Sequence, residues 1–369
     1  MTDHADLPLA GIRVVDLTSN VAAPFGSAVL ADLGAHVTHI EGPDGDDCRR
    51  MSPLIGDSSA YFNVVNRNKD GLRLDIRVPE DRAHLDSLIE EADVFVCNLR
   101  PGKLEKYGLD AETMCARFST LIHATLSAYG SSGAERDKPG YDAVLQARTG
   151  IASVTGIAEG PPVRAGVSIL DVGSGTWLAL GVIAALFRRE RTGVGGAVAT
   201  SLFETGANWA GYHVVAHQVT GEPSGRHGSE HPAFAPYGIF RTGGGDICLG
   251  IGGDALFERL CRALDRADLL SDERFRSNPD RVRNAAALRS ELEKTMAGSS
   301  AIAVAELLDH SGLPADAVRL PEDLVADPQS VANFVMETVT LAGGRELVMP
   351  GLPMTFDGIR PQIRTAAPQ

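Results

Sequence analysis

The chain has 369 residues, of which 44% are hydrophobic and 22% charged, and its formal net charge at pH 7 is −14. This length can bury a large core, arranged as two domains or as one domain with an insertion. The acidic balance argues against non-specific binding of nucleic acid or of an anionic membrane surface. The five cysteines form no C-x-x-C pair, and residues 1–10 lack the features of a signal peptide, so a reduced, cytoplasmic protein is predicted.

The first 130 residues alternate short β-branched runs with stretches of helical periodicity. The spacing predicts strands at 11–17, 35–40, 71–76, 94–96 and 121–127, and helices at 24–33, 80–92, 104–107 and 111–118. Strands that alternate with helices predict an open, mostly parallel sheet, which binds ligands at the carboxyl ends of its strands. No G-x-G-x-x-G follows the first strand, so a dinucleotide is not indicated.

The stretch VRAGVSILDVGSG, at 163–175, carries the strongest indication of chemistry. Its apolar part predicts a strand at 167–170 that ends in Asp171, followed by a buried helix from 176 to about 188 that is too short to cross a membrane. The two glycines after the carboxylate would let a ligand or another backbone approach it closely. The alternative is a helix N-cap, in which the Asp171 carboxylate accepts backbone N–H groups.

The second half of the chain indicates a further, smaller domain. A strand is predicted at 198–202, a helix at 203–219, and a long connection or a mobile loop over a site at 220–237. Two short strands around a glycine-rich turn are predicted at 238–253. The predicted organisation is a large domain of residues 1–205 plus 335–369, a small domain of 225–330, and linkers at 206–224 and 331–334.

Polar residues near the predicted strand ends are candidates for a binding site. In an acidic chain, basic side chains there suit the phosphates of a nucleotide-like ligand, although a solvated surface is the simpler interpretation of any single one. The candidates are Asn98, Arg100, Lys106, Lys69 and Lys138. Tyr141 and Asp142 begin an apolar helix and would position a carbonyl or a second carboxyl group near Asp171. Alternatively, Tyr141 belongs to the core and Asp142 only favours the positive helix end.

The ten histidines give no pattern of metal ligands. His213 and His217 share a helical face, but no H-E-x-x-H surrounds them, and no metal site is predicted. The sequence also lacks a G-x-S-x-G elbow and a P-loop, so neither a serine hydrolase nor a P-loop nucleotide site is indicated.

Several segments resemble the family III CoA-transferases, the CaiB/BaiF group, in their order and spacing over essentially the whole chain. They are GIRVVDLT, NRNKDGLRLDI, CNLRPGKLEKYGLD, KPGYDAVLQARTG and VRAGVSILDVGSGTW. This group includes formyl-CoA transferase and the α-methylacyl-CoA racemases. The resemblance implies a Rossmann-like large domain, a smaller α/β domain and an interlocked homodimer. It implies no tightly bound cofactor, with acyl-CoA and a carboxylic acid as substrates.

The resemblance also implies roles for individual residues. The Asp171 carboxylate would attack an acyl-CoA thioester to give a mixed anhydride, then carry CoA as an aspartyl thioester until an acceptor carboxylate takes it. The residues implied to contact CoA by matched position are Asn98, Arg100 and Lys106, with Lys69 and Lys138 as further candidates. Formyl-CoA transferase has glutamine where this chain has Val21, and together with Phe25 this indicates an acyl group less polar than oxalate.

Two other functions remain open. The racemases use the equivalent aspartate as one half of an acid/base pair, and the other half is a histidine where this chain has Tyr141. Tyrosine, with a pKa of about 10, is a poor base at neutral pH, which favours transfer over racemisation. The third possibility is a non-catalytic protein that binds acyl-CoA, which the pairing of Asp171 with its glycine turn disfavours.

Overall fold

The computed structural model describes residues 6–56 and 58–369, which form two compact units. The first unit comprises the described residues up to Ile151 together with Arg164–Gly221 and Leu324–Gln369, and the second comprises Ala152–Val163 and Glu222–Asp323.

The strands and helices of the described residues are, in chain order, as follows. The strands are β1 (Arg13–Leu17), β2 (His36–Glu41), β3 (Leu54–Ile55), β4 (Ser58–Ser59), β5 (Lys69–Arg73), β6 (Val94–Cys97), β7 (Ile122–Ser127), β8 (Gly196–Ser201), β9 (Tyr237–Arg241), β10 (Asp246–Gly250), β11 (Ala315–Ala317), β12 (Met336–Thr340) and β13 (Glu346–Pro350). The helices are α1 (Ala22–Asp32), α2 (Ala60–Val65), α3 (Pro79–Glu90), α4 (Pro101–Tyr107), α5 (Ala111–Arg117), α6 (Asp142–Arg148), α7 (Ile151–Val154), α8 (Ile169–Thr192), α9 (Leu202–Trp209), α10 (Gly211–Thr220), α11 (Asp254–Ala263), α12 (Asp268–Ser271), α13 (Asn278–Arg283), α14 (Ala285–Met296), α15 (Ala301–His310) and α16 (Pro328–Ala332).

The first unit is built on a six-stranded sheet in the order β5-β2-β1-β6-β7-β8, in which every neighbouring pair is parallel. The prediction of an α/β fold with a parallel sheet is therefore confirmed. Successive residues of β1 face opposite sides of the sheet, so Val14 belongs to one apolar core and Val15 to another. Buried cores on both faces explain why the central strand β6, VFVC, is continuously apolar. The strand order reverses between β1 and β6, which makes their carboxyl ends a topological switch point.

The core on one face is dominated by the contact between α1 and α8, where backbone meets backbone. A Cβ atom added to Gly175 would lie 2.4 Å from the carbonyl oxygen of Ala22, and one added to Gly26 would lie 2.7 Å from the carbonyl oxygen of Gly175. No real Cβ tolerates such distances, so both positions need glycine for this packing. The apolar side chains of α8, among them Leu178 and Val182, complete the core.

The predicted strand at 167–170 is wrong, because α8 already begins at Ile169 and places Asp171 in its first turn. Helix α8 has 24 residues and is longer than predicted. Among the described residues it alone is long and apolar enough to cross a membrane by length and composition. Half of the most apolar 18-residue stretch of this helix is buried inside the protein, as in a helix that packs within a core.

The second unit has an antiparallel sheet in the order β11-β10-β9, packed around a core of its own. The two strands predicted at 238–253 are present as β9 and β10. The stretch 152–163, which the sequence analysis assigns to the large domain, lies in this unit. The Arg226 guanidinium holds it there by donating to the carbonyl oxygens of Ile157, Ala158 and Gly160.

The C-terminal segment lies against the start of the first unit. The Asn68 side-chain oxygen accepts the backbone N–H groups of Arg364 (2.6 Å) and Thr365 (3.0 Å). Pro368 packs over Gly71 in β5, where a Cβ would lie 2.5 Å from the proline ring. The last residues therefore form part of the fold around the first strands.

Candidate active site

The Asp171 side chain lies at the start of α8 and is half-buried. The first turn of a helix presents unpaired N–H groups and a partial positive charge, so it suits a carboxylate. Asp171 is not the N-cap, however: Ser168 occupies that position and makes no side-chain cap bond. The N-cap interpretation of Asp171 is therefore wrong, and another residue satisfies the helix donors.

That residue is Asp142, the first residue of α6. Its carboxylate is 6% exposed, and its Oδ2 accepts the backbone N–H groups of Leu170 (2.8 Å) and Asp171 (3.3 Å). The two carboxylates predicted to lie near each other are thus brought together at one helix start. Burial, and next the negative charge of Asp142, raise the pKa of Asp171 to about 7.

The site holds two carboxylates without a cation. No lysine or arginine of the described residues acts on Asp171. Taking a carboxylate out of water without a counter-charge costs free energy, and such groups concentrate at functional sites. The pair at the start of α8 is therefore the strongest candidate for chemistry in the part of the chain that the structure describes.

The first turn of α1 borders the same face of α8. Gly175 lies one turn after Asp171, and the close backbone contact there brings Ala22 and Phe25 beside it. Phe25 is half-buried, as is Val21 just before the helix. The part of α1 that lies beside Gly175 is thus apolar, and an effect of Val21 and Phe25 on the choice of acyl group stays a prediction.

Tyr141 lies at the N-cap position of α6, and its side chain is 68% exposed. It is therefore on the surface next to Asp142 and does not belong to the core. No described contact joins its hydroxyl group to Asp171, so its role at the site stays a prediction.

Asn98 lies at the switch point, just after β6. Its side-chain nitrogen donates to the Ser19 carbonyl (2.8 Å), and its oxygen accepts the Ser19 N–H (3.1 Å). The amide therefore fixes the loop between β1 and α1, and a CoA contact for Asn98 stays a prediction.

Three of the other predicted CoA contacts are exposed. Arg100 precedes α4, Lys106 lies in its last turn, and the Lys138 ammonium lies 2.7 Å from the Glu135 carboxylate. An ion pair of 3.1 Å between Arg136 and Glu105 joins α4 to the loop that carries Lys138. These cations are accessible, and their contact with CoA stays a prediction.

Lys69 does not fit its predicted role. Its ammonium group is fully buried and donates to the Asp16 carboxylate (3.0 Å), the Pro24 carbonyl (2.9 Å) and the Asn66 side chain (2.7 Å). All three protons are used, so none is left for a CoA phosphate. The polar sequence NRNKDG does not indicate this burial. Lys69 is the first residue of β5, and its side chain points inward.

Gln146 is not among the residues predicted from the sequence. It is completely buried one turn after Asp142 and donates to the Asp142 carboxylate. The i, i+4 spacing of an aspartate and a glutamine is the signal that would have found it. Within the described residues, no group of three or more histidine, cysteine or acidic side chains is placed to hold a metal ion.

A doubly wound parallel sheet with an uncompensated carboxylate at the start of a core helix points to an α/β enzyme. The chain matches the model of CoA-transferase family III over residues 9–369, and it belongs to that family. The sequence-based identification of the family, and of the chain as an enzyme of the CoA-transferase class, is thereby confirmed.

Named relatives span nearly the whole chain. The acetyl-CoA:oxalate CoA-transferase of Acetobacter aceti is 34% identical over 98% of this chain and 92% of its own length. The succinate–glutarate CoA-transferase of Agrobacterium fabrum is 31% identical over 94% of this chain and 88% of its own. The crystal structure of a CaiB/BaiF family protein from Brucella suis is similar with a TM-score of 0.88 and 32% identity, over 98% of this chain and 96% of that one.

Proposed function

We propose that this protein transfers CoA from an acyl-CoA donor to a carboxylic acid acceptor, with Asp171 as the covalent carrier. An Asp171 carboxylate oxygen attacks the thioester carbonyl carbon, the C–S bond breaks, and CoA leaves as a thiolate. The thiolate attacks the aspartyl carbonyl of the mixed anhydride, which releases the donor acid and leaves CoA on Asp171. The acceptor carboxylate then attacks this thioester, and the returning thiolate takes the acceptor acyl group and frees Asp171.

The observation that carries the proposal is the pair of carboxylates at the start of α8. A carboxylate with a raised pKa is a better nucleophile than an ordinary one, and a pKa of about 7 leaves it substantially ionised at neutral pH. Covalent catalysis also needs space for the thioester, and the half-exposed Asp171 side chain has access to solvent.

The relatives' names support the substrate class. They refer to oxalate, succinate, glutarate and mesaconate, which are all dicarboxylates. We infer that one of the two acids is a small dicarboxylate. The apolar Val21 and Phe25 favour one with a carbon chain over oxalate, since a longer chain has methylene groups to bury.

The exposed cations support a site for the phosphates of CoA. Arg100, Lys106 and Lys138 project from two segments that an ion pair joins, and Asn98 fixes the neighbouring loop. Arginine binds phosphate in a fork geometry and lysine as a point charge. We propose that these three cations contact CoA, without Lys69.

We also propose a homodimer in which the two chains interlock. Helix α10 has no buried residue in the single chain, although it carries Tyr212, Val214, Val215 and Val219. An apolar helix face left uncovered marks a surface for another protein. A second copy is the partner that the family resemblance implies.

The decisive experiment is mass spectrometry of the intact protein incubated with a panel of acyl-CoAs at pH 8. The panel includes acetyl-, succinyl- and glutaryl-CoA, with D171N as the control and a hydroxylamine or borohydride quench. An adduct that maps to Asp171 in the wild type and is missing in D171N supports the carrier. A wild type that exchanges CoA between acids without any adduct at Asp171 contradicts it.

Racemisation is a second candidate, because a pKa of about 7 also suits a general acid or base. Its signature is solvent deuterium entering the α-carbon of a branched acyl-CoA without transfer of CoA. The exposed Tyr141 in place of a histidine favours transfer. The same incubations, carried out in deuterium oxide, distinguish the two reactions.

A further inference from the structure

Gln146 joins the carboxylate pair to the segment that precedes α8. Its side-chain nitrogen donates to Oδ1 of Asp142 (2.5 Å), and its side-chain oxygen accepts the backbone N–H of Ala165 (2.9 Å). The residue is completely buried. One side chain therefore connects Asp142, which anchors the start of α8, to the segment that precedes this helix.

We propose that Gln146 is a positioning residue for CoA transfer. It holds the Asp142 carboxylate in the orientation that accepts the N–H groups of the first turn of α8, and it thereby fixes Asp171 for attack. The inference rests on the proposed function, in which Asp171 is the carrier. It adds a residue that does not touch the substrate and acts through Asp142.

The direction of every hydrogen bond in this network is determined. The N–H of Ala165 can only donate, so the oxygen of Gln146 must face it and the nitrogen must face Asp142. Oδ1 of Asp142 therefore accepts from Gln146, while Oδ2 accepts the N–H groups of Leu170 and Asp171. Both carboxylate oxygens of Asp142 are therefore held in place as hydrogen-bond acceptors.

Fixing Asp142 also fixes the backbone of the carrier. The N–H of Asp171 is tied to Oδ2 of Asp142, so rotation of the Asp142 side chain would release the first turn of α8. The neighbouring element at this face is α1, which presents the apolar Phe25 beside Gly175. No other described polar side chain takes over the anchoring of Asp142.

The test is the rate at which the Asp171 adduct forms in a single turnover at pH 8. In Q146M the side chain keeps its length but loses both hydrogen bonds, and we expect the rate to fall about tenfold to a hundredfold through misplacement of the carrier. The KM for acyl-CoA should stay within about twofold, since Gln146 binds no substrate. An unchanged adduct rate in Q146M overturns the proposal.

An exchange of the two side chains separates positioning from loss of stability. In D142N/Q146E the new amide oxygen accepts from α8 and the amide nitrogen donates to the new carboxylate one turn later. The other oxygen of that carboxylate accepts the N–H of Ala165, so every hydrogen bond is restored. The single variant D142N places two amide nitrogens against each other, and Q146E places two carboxylates against each other. Both single variants should form the Asp171 adduct slowly. We expect the double variant to regain the adduct rate to within about threefold of wild type. A folded double variant as slow as the single ones contradicts the proposal.

A control variant is N278L in the second unit. The Asn278 amide also joins two backbone groups, the Ala235 N–H and the Ala233 carbonyl. Its loss should lower Tm and leave the adduct rate unchanged. If the wild type itself forms no adduct at Asp171, the proposed function fails. If the wild type forms it and Q146M forms it equally fast, only the role of Gln146 fails.

Discussion

The first unit contains two carboxylate networks, one with a cation as counter-charge and one without. Asp16 in β1 is fully buried, and its Oδ2 contacts the Lys69 ammonium (3.0 Å), His39 Nδ1 (3.1 Å) and the Ser27 hydroxyl (2.7 Å). At the start of α8, Asp142 faces Asp171 with backbone N–H groups and one amide as partners. Both networks border the α1–α8 core, yet only the first contains a cation.

The pKa values follow this difference. Burial alone would raise the pKa of Asp16, but the Lys69 ammonium and His39 outweigh it and hold the pKa well below its usual range. Burial and the charge of Asp142 both raise the pKa of Asp171, to about 7. A buried carboxylate with a counter-charge is locked into the fold, whereas one without it keeps a reactive, high-energy anion. The first network therefore holds structure, and the second is suited to chemistry.

The largest expected effect comes from removing the uncompensated charge. D171N should lower CoA transfer at least about a thousandfold, because an amide cannot act as the nucleophile. Its Tm should equal or exceed that of wild type, since the repulsion with Asp142 disappears. CoA exchange between succinate and glutarate and a thermal melt measure the two effects.

The matched control is D16N, the same chemical change in the other network. It should lower Tm and leave transfer per folded molecule nearly unchanged. Loss of transfer in D16N with an unchanged Tm would mean that the Asp16 network serves the reaction and not stability.

Breaking the balanced network should cost stability. K69M leaves the Asp16 carboxylate buried without its cation, and we expect the free energy of unfolding to fall by about 3–5 kcal/mol, as for other broken buried ion pairs. Urea denaturation measures this. A K69M variant of normal stability that binds acyl-CoA more weakly would restore Lys69 as a CoA contact and contradict the structure.

The pH dependence of stability sharpens the comparison at Asp171. An aspartate titrates near pH 4 in the unfolded chain and at about pH 7 here, so between these values the folded state binds more protons at this site. Its contribution to stability is therefore present at low pH and declines as the pH rises through this window.

D171N removes this pH-dependent contribution to stability. The difference in free energy of unfolding between D171N and wild type should grow in favour of the variant from pH 5 to pH 8, by about 1–2 kcal/mol after allowance for partial exposure. Urea titrations at four pH values test it. A difference that does not change with pH would show that the Asp171 pKa is ordinary.

The smallest effects are expected at the exposed cations. K106A and K138A should each raise the KM for acyl-CoA about twofold to fivefold and leave kcat unchanged, because one exposed ionic contact contributes at most about 1 kcal/mol. The effect should weaken at high ionic strength. A fall in kcat with constant KM would place these lysines outside the CoA site.

The sheet was predictable from sequence because its strands carry a local signal. The runs RVVDL and VFVC are short, β-branched and bounded by turn residues, and they form β1 and β6. Asp171 was predictable as a candidate site residue, but its place in a helix was not. The helix start is capped by Asp142, 29 residues earlier in the sequence, and no local pattern reveals such a partner.

The role of Lys69 was not predictable for a similar reason. In sequence it belongs to a polar, charged run that is typical of a surface loop. Its burial depends on Asp16, which lies 53 residues earlier in the sequence. Asp16 is in β1, and β2 separates that strand from β5 in the sheet. Charges that compensate each other over such separations become visible only once the fold brings the strands together.

The contact between Gly26 and Gly175 has a consequence for altering the enzyme. Backbone rests on backbone there, so the contact has no side-chain rotamers through which α1 and α8 could adjust to each other. The two helices form a stiff base under the Asp171 carboxylate, whereas Val21 and Phe25 contribute side chains that can be exchanged. Under the proposed function, substitutions at these two positions offer a way to change which acids are accepted while the Asp171 backbone stays in place.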